Sequence, residues 1–309
     1  MEIEQQLAAI TPERDTLLTV GVFDGVHAGH RHLLRVLGQR AADQNLLTGV
    51  VTFSPHPQSV VNPASQLPSL STLEDRVKAL RDLGIDIVVP LSFTRKVAAL
   101  SAQEFVSLLR KYLKMRGLVV GPDFALGRSR EGNAEMLRAL GREMNFSVEV
   151  VPPYTVNGDV VSSTLIRRAL AQGDMRKVTR LMGRHFSLNG TVVSSEKRGR
   201  VLGFPTANLE PKSEQAIPGN GIYATITQVD GNRFLSATNI GVRPTFGEGK
   251  KLVESHLLDY RGDLYGKQVR VEFVHKLRDE KRFPSPEELK AQIEKDIQAA
   301  RAILVRELK

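Results

Sequence analysis

Three of the seven histidines crowd one short stretch, His27, His30 and His32, and Gly21, Gly25 and Gly29 punctuate it. The stretch follows a strand-like run and opens a helix-like one. A helix N-terminus offers unpaired N–H groups and the positive end of the helix dipole, which suit a phosphate. Glycines let the backbone approach phosphate oxygens, and His27 and His30 could donate hydrogen bonds to charge growing on a phosphoryl group. Two plainer readings stand beside this one. The histidines could be a surface cluster, or a metal pair, since spacings of three and four share a helix face. Cysteine is absent and no nearby carboxylate completes a zinc pattern. His32 reads as structural or exposed.

Three further groups could do chemistry. In Ser162-Ser163-Thr164-Leu165-Ile166-Arg167, the hydroxyls and the planar donor fork of Arg167 suit polyphosphate. The same residues could equally be a capped helix start with a solvated arginine face. In Gly203-Phe204-Pro205-Thr206-Ala207-Asn208, which follows the basic Lys197-Arg198-Gly199-Arg200, each residue alone reads as a turn former. Glu254, in a strand-like run with His256 on the same face, alone reads as a solvated strand residue. No Gly-x-x-x-x-Gly-Lys-Ser/Thr loop occurs, which excludes a P-loop kinase, and protein-kinase signatures are absent as well.

The elements that must position these residues fall into two patterns. Strand-like runs at 17–22, 48–53, 86–91, 118–120 and 147–151 alternate with helix-like stretches at 29–44, 73–83, 102–113 and 133–144. That alternation predicts parallel strands with helices on both faces, and a ligand site at the carboxyl ends of the strands. After Gly183 the pattern becomes short β runs at 188–194, 222–229, 233–238, 253–258 and 269–274. Asp230-Gly231 between two of them is a hairpin signal, so this half predicts an antiparallel barrel or sandwich. A last helix should start near Ser285, with Ser285 as N-cap, Pro286 as first helical residue and Glu288 as capping-box partner. The expected domains are 1–182 and 183–309.

Composition narrows the class. The chain has 309 residues, 41% hydrophobic and 25% charged, close to an ordinary globular protein of about two domains. With no cysteine, disulfides, thiolate catalysis and cysteine metal sites are excluded, which fits a cytoplasmic protein. No apolar run is long enough to span a membrane, and the start Met1-Glu2-Ile3-Glu4 is acidic where a signal peptide is basic. The net charge of +9 is spread evenly over both halves with no basic arm. Diffuse positive charge favours small phosphorylated substrates over nucleic acid.

Gly21-Val22-Phe23-Asp24-Gly25-Val26-His27-Ala28-Gly29-His30 resembles the signature of the HxGH nucleotidyltransferases. Seven further runs narrow the resemblance: Thr52–Pro57, Gly121-Pro122-Asp123-Phe124, Gly127–Asn133, the Ser162–Arg167 run, and Gly203–Asn208 with Asn239–Phe246 and Val253–Leu257. In that order they resemble the bacterial bifunctional riboflavin kinase/FAD synthetase family over nearly the whole chain. The resemblance implies an α/β protein: a Rossmann-like nucleotidyltransferase domain, then a β-barrel riboflavin kinase domain with a C-terminal helix. It implies ATP-dependent phosphorylation of riboflavin to FMN, then adenylylation of FMN to FAD with release of pyrophosphate. Catalytic roles fall to His27, His30 and Glu254, with Glu254 as base for the riboflavin 5′-hydroxyl. Substrate and nucleotide binding fall to Gly21, Phe23, Asp24, Gly25, Gly29, Asp123, Ser162, Ser163, Thr164, Arg167, Gly203, Pro205, Thr206 and Asn208. Thr206 and Asn208 would hold Mg²⁺ with the ATP phosphates.

The implied partners are small molecules (ATP, ADP, pyrophosphate and flavins), with no nucleic acid and no membrane. The chain departs from the family pattern at Val97, at Ala125-Leu126 and at Ser194-Ser195-Glu196. Rival readings are an enzyme keeping one of the two steps, and a flavin- or nucleic-acid-binding regulator with a decayed site.

Overall fold

A computed structural model describes residues 2–64, 67–193, 204–212, 214–242 and 251–307. Its contacts divide the chain into two compact units, residues 1–162 and 163–309. In the first unit the elements run α1 (Ile3–Ala8), β1 (Thr16–Gly21), α2 (Ala28–Asp43), β2 (Leu47–Ser54), α3 (Pro57–Val61), α4 (Leu73–Asp82) and β3 (Ile87–Ser92). Then come α5 (Arg95–Ala99), α6 (Ala102–Leu113), β4 (Met115–Val120), α7 (Ala134–Met144), β5 (Ser147–Val150) and a small hairpin, β6 (Thr155–Val156) with β7 (Asp159–Val160). The five long strands form one parallel sheet in the order β3-β2-β1-β4-β5.

Alternation along the strands sorts the core into two layers, as helices on both faces require. Leu17, Val50, Val88 and Val119 pack with Leu34 and Leu37 of α2 and Leu80 of α4. Leu18, Val20, Val51 and Leu118 pack with Leu7 of α1, Phe105 and Leu109 of α6 and Leu137 of α7. Each leucine fully buried this way stabilises the fold by about 1.5–3 kcal/mol. Chain order reverses direction at β1, whose neighbours β2 and β4 lead opposite ways. A crevice at the carboxyl ends of β1 and β4 is where such sheets bind ligands.

The second unit begins with α8 (Ser163–Gln172) and α9 (Met175–Met182). It continues with β8 (Phe186–Val193), β9 (Ala207–Pro211), β10 (Gly221–Val229), β11 (Asn232–Val242), β12 (Lys251–Leu257), β13 (Gln268–Arg278) and α10 (Pro286–Glu307). The six strands close a barrel in the order β10-β11-β12-β9-β8-β13. Of the two expected β architectures, the chain therefore adopts the barrel. Strand β9 has no counterpart in the sequence reading, because Asn208, Glu210 and Pro211 are poor strand formers and pairing with β8 and β12 imposes the conformation. Asp230 and Gly231 both take positive φ, as the hairpin signal demands.

Alternate barrel residues point inward. At one place the interior is polar: Thr225, Thr227, Ser236, Thr238 and Ser255 are buried and hydrogen-bond to one another at 2.7–3.1 Å. Each hydroxyl thereby avoids the cost of an unmet polar group. Outside, Ala300 and Leu304 of α10 pack on Ala224, Ile226 and Val274. Ser285 caps α10 by accepting from the Glu288 N–H, with Pro286 as first helical residue.

The expected boundary near Gly183 and the contact division after Ser162 differ by α8 and α9. Met175, Val178, Leu181 and Met182 of α9 are buried, and α9 packs on β8 and β13.

Candidate functional site

In the first unit the β1–α2 turn builds itself around its histidines. Phe23 is left-handed at φ 52°, Gly25 has φ 77°, and α2 then starts at Ala28 with His27 as its N-cap. The His30 N–H donates to His27 Nδ1 at 3.2 Å. A neutral His27 must therefore carry its proton on Nε2. The His27 and His30 rings stack with centroids 3.6 Å apart, and Phe23 lies 5.0 Å from His30. A side chain at Gly29 would meet the His27 ring at 3.2 Å, so glycine is what lets the ring lie there. Gly21 plays the same part beneath the Phe23 ring.

Burial pushes the His30 pKa well below the ordinary histidine value, helped by the neighbouring His27 and the Arg76 charge. His30 is thus neutral at neutral pH, and its buried Nδ1 has no partner. Asp24 lies in the same turn and is 3% exposed. Its carboxylate accepts from the Leu70 and Ser71 N–H groups at 2.9 and 3.1 Å. Ser71 in turn accepts from the Gly25 N–H at 3.0 Å through its hydroxyl. The turn that presents the histidines is therefore tied to the segment leading into α4.

Arg76 of α4 completes this brace, and sequence reading missed it. It is 5% exposed, donates to the Phe53 carbonyl at 2.9 Å and to Thr52 Oγ1 at 3.3 Å, and stands 3.9 Å from Asp24. A lone arginine on an amphipathic helix reads as a solvated charge; only the fold turns it inward. Asp123 is exposed in the loop after β4, on the crevice side of the sheet order, and its carbonyl accepts from Arg130. Ser162 ends the first unit, while Ser163, Thr164 and Arg167 lie in the first turns of α8. Two of the departures from the family pattern, Val97 and Leu126, are both buried in the α6-side core.

In the second unit strand register assembles the site. Asn208 of β9 lies directly opposite Glu254 of β12, which lies directly opposite Asn239 of β11. Their inward-facing neighbours are Ala207 and Leu209, Val253 and Ser255, and Thr238 and Ile240, all buried. The three side chains therefore share the outer face in one row. The Oδ1 atoms of both Asn208 and Asn239 are buried and accept no hydrogen bond.

Thr206 immediately precedes β9 and is half-buried. The Pro205 carbonyl beside it can only accept, so the 2.8 Å contact with His256 Nδ1 fixes the proton on that nitrogen. Phe204 packs edge-on against the same His256 ring. His256 thus pins the approach to Thr206 onto β12, a positioning task visible in sequence only as its shared face with Glu254. Next to Thr206 lies a cavity of about 560 Å³ lined by Val192, Leu257, Tyr260, Leu264 and Tyr265 among others. Among the described residues no group of three or more His, Asp or Glu side chains could cage a metal ion. Gly203, the basic Lys197–Arg200 run, Ser194-Ser195-Glu196 and the 243–246 part of the Asn239 motif lie outside the described residues.

Comparison with known proteins gives consistent matches to both units. Residues 9–165 match a family model described as FAD synthetase, and residues 182–304 one described as riboflavin kinase. A protein of Escherichia coli (strain K12) named bifunctional riboflavin kinase/FMN adenylyltransferase is 39% identical over 292 residues, 94% of this chain and 93% of its own. One of the same name from Pseudomonas fluorescens is 39% identical over 306 residues, 98% of each chain. A crystal structure of a Streptococcus pneumoniae protein named macrolide-efflux protein matches 97% of both chains, with a TM-score of 0.89 and 28% identity. Among the described residues of this chain, no helix is long and apolar enough to cross a membrane.

Proposed function

The chain belongs to the bifunctional riboflavin kinase/FMN adenylyltransferase family, and on that footing we propose a role for each unit's polar groups. The barrel phosphorylates riboflavin. The riboflavin 5′-oxygen attacks the γ-phosphorus of ATP, the new O–P bond replaces the bond to the bridging oxygen, and ADP leaves. Glu254 takes the hydroxyl proton; a carboxylate held beside an alcohol acts well as a general base. The ATP phosphates lie on the Asn208 side of Glu254, and the adenine enters the cavity lined by Tyr260 and Tyr265. The observation that carries this reading is the cross-strand register of Asn208 with Glu254, together with the buried, unpartnered Asn208 Oδ1.

That orphan oxygen also fits the metal the family implies. Mg²⁺ prefers oxygen ligands and keeps several waters and phosphates rather than a full protein cage. Thr206 Oγ1 and Asn208 Oδ1 are suitable neutral donors. Held there, the ion would offset the negative charge of the ATP phosphates. Gly203 and Pro205 shape the approach to these groups.

The parallel-sheet unit joins FMN to ATP. An FMN phosphate oxygen attacks the α-phosphorus of ATP, and pyrophosphate leaves. Catalysis of this kind is positioning and charge stabilisation, with little covalent work for the protein. His27, through Nε2–H, and the neutral His30 donate hydrogen bonds to the phosphoryl oxygens. The backbone of Gly21, Gly25 and Gly29 allows close approach, and Phe23 backs His30. Asp24 braces the turn. Asp123 contacts substrate from the β4 side of the crevice, while Ser162, Ser163, Thr164 and Arg167 bind the ATP polyphosphate. Phosphorylated small-molecule substrates and a cysteine-free chain support a cytoplasmic enzyme.

The test is chromatography of the flavins made from riboflavin, ATP and Mg²⁺ by the intact protein and by Glu254→Gln. The intact protein should give FMN and then FAD. Glu254→Gln should lose kinase turnover about a hundred- to ten-thousandfold while still converting supplied FMN to FAD. Unchanged kinase turnover removes Glu254 as the base, and FMN without FAD from the intact protein removes the second step.

A further inference from the structure

The Asn208–Glu254–Asn239 row is chemically symmetrical, with an amide residue on the strand to either side of Glu254. Asn239 shares three features with Asn208. It lies one strand from Glu254 in direct register, it faces outward, and its Oδ1 is buried with no hydrogen bond. Folded proteins rarely leave such an acceptor unmet, because the lost water is not replaced. An unmet acceptor next to a base is a place where a ligand donates.

The two asparagines differ in their surroundings. Asn208 lies beside Thr206 and the cavity walled by Tyr260 and Tyr265. On the other side, the position paired with Asn239 across β10 is Ile222, half-buried and apolar. One end of the row therefore suits phosphate and metal, and the other an organic acceptor carrying hydroxyls on an apolar body. Neighbouring strands lie about 4.7–4.9 Å apart, and directly opposed Cβ atoms about 4.5–5.5 Å. Vicinal hydroxyl oxygens are closer together than that. Two side chains leaning from adjacent strands can thus take one hydroxyl each of a 1,2-diol.

We propose that Asn239 is a specificity-determining residue for the phosphoryl acceptor: its Oδ1 accepts a hydrogen bond from the ribityl 4′-hydroxyl while Glu254 takes the proton of the 5′-hydroxyl. This rests on the kinase reading of Glu254. The consequence is a preference for acceptors with a hydroxyl next to the one phosphorylated. A buried site built to pair with a hydroxyl discriminates against the analogue that lacks it, because its own polar group is then left unpaired.

The experiment compares riboflavin with 4′-deoxyriboflavin as kinase substrates of the full-length protein and of Asn239→Ala. FMN adenylylation serves as control for the other unit. In the parent, 4′-deoxyriboflavin should show a KM at least about tenfold above that of riboflavin. Asn239→Ala should raise the riboflavin KM by about the same factor and leave that of the deoxy analogue unchanged. Asn239→Asp keeps an acceptor oxygen and should keep the discrimination, which decides the matter if the alanine variant does not fold. An equal rise for both flavins, an unchanged riboflavin KM, loss of discrimination in Asn239→Asp, or an effect confined to the Mg²⁺ requirement overturns the proposal. Full kinase turnover in Glu254→Gln would remove the base reading separately, and the two-flavin comparison would still decide the role of Asn239.

Discussion

Replacing Arg76 with glutamine tests whether the histidine turn is held from behind. The guanidinium is 5% exposed and Asp24 is 3% exposed, with 3.9 Å between them. At that distance an effective dielectric near 20 gives an attraction of about 4 kcal/mol. Burial works against it: the Arg76 pKa is lowered by desolvation, which the Asp24 charge offsets only in part. The intact pair is therefore worth little net, whereas breaking it is expensive. Arg76→Gln leaves a buried carboxylate with the Leu70 and Ser71 donors but without the Arg76 charge. It also weakens the ties to Thr52 and Phe53 at the end of β2. The expected destabilisation is about 3–5 kcal/mol. Urea denaturation followed by far-ultraviolet circular dichroism measures it. FAD formation from FMN should fall, with FMN formation from riboflavin nearly unchanged. Asp24→Asn combined with Arg76→Gln should recover much of the loss, because neither charge is then stranded and the amide oxygen still accepts from a Leu70 or Ser71 N–H. A loss below about 1 kcal/mol in the single variant, or simple additivity in the double, would refute the idea that the two charges brace one another.

The remaining predictions concern the site above that brace and the extent of the barrel unit. His27→Ala or His30→Ala should each slow FAD formation about a hundredfold or more and spare riboflavin phosphorylation, since each removes one hydrogen bond to the phosphoryl group; undiminished FAD formation in both, measured by chromatography, would sink the assignment. A fragment of residues 163–309 should fold and phosphorylate riboflavin, and should resist heat better than one of residues 183–309. The shorter piece strips Met175, Val178, Leu181 and Met182 from β8 and β13; equal melting temperatures would show that α9 adds nothing.

Local patterning was enough to read most of both units. The Leu17–Leu18 alternation of β1, the 102–113 helix with its Ser101–Glu104 capping box, the Asp230-Gly231 turn and the Ser285 cap are each set by neighbouring residues. Such signals survive in one dimension because strand period, capping chemistry and positive φ are local properties. The His27–Gly29–His30 cluster was legible for the same reason, since a helix cap is built from residues three apart.

What tertiary structure decided lay in groups that meet only across the fold. Strand β9 exists because β8 and β12 flank it, against the preferences of its own residues. Arg76 became a buried brace through contact with Asp24, 52 positions away in the chain, and with the end of β2. Asn239, unremarkable within its motif, came to stand beside Glu254 through antiparallel register. A sequence records which polar groups are present, but the burial that leaves one unpaired is a property of the closed barrel. Desolvation depends on every neighbour at once, so it is decided only when the strands come together.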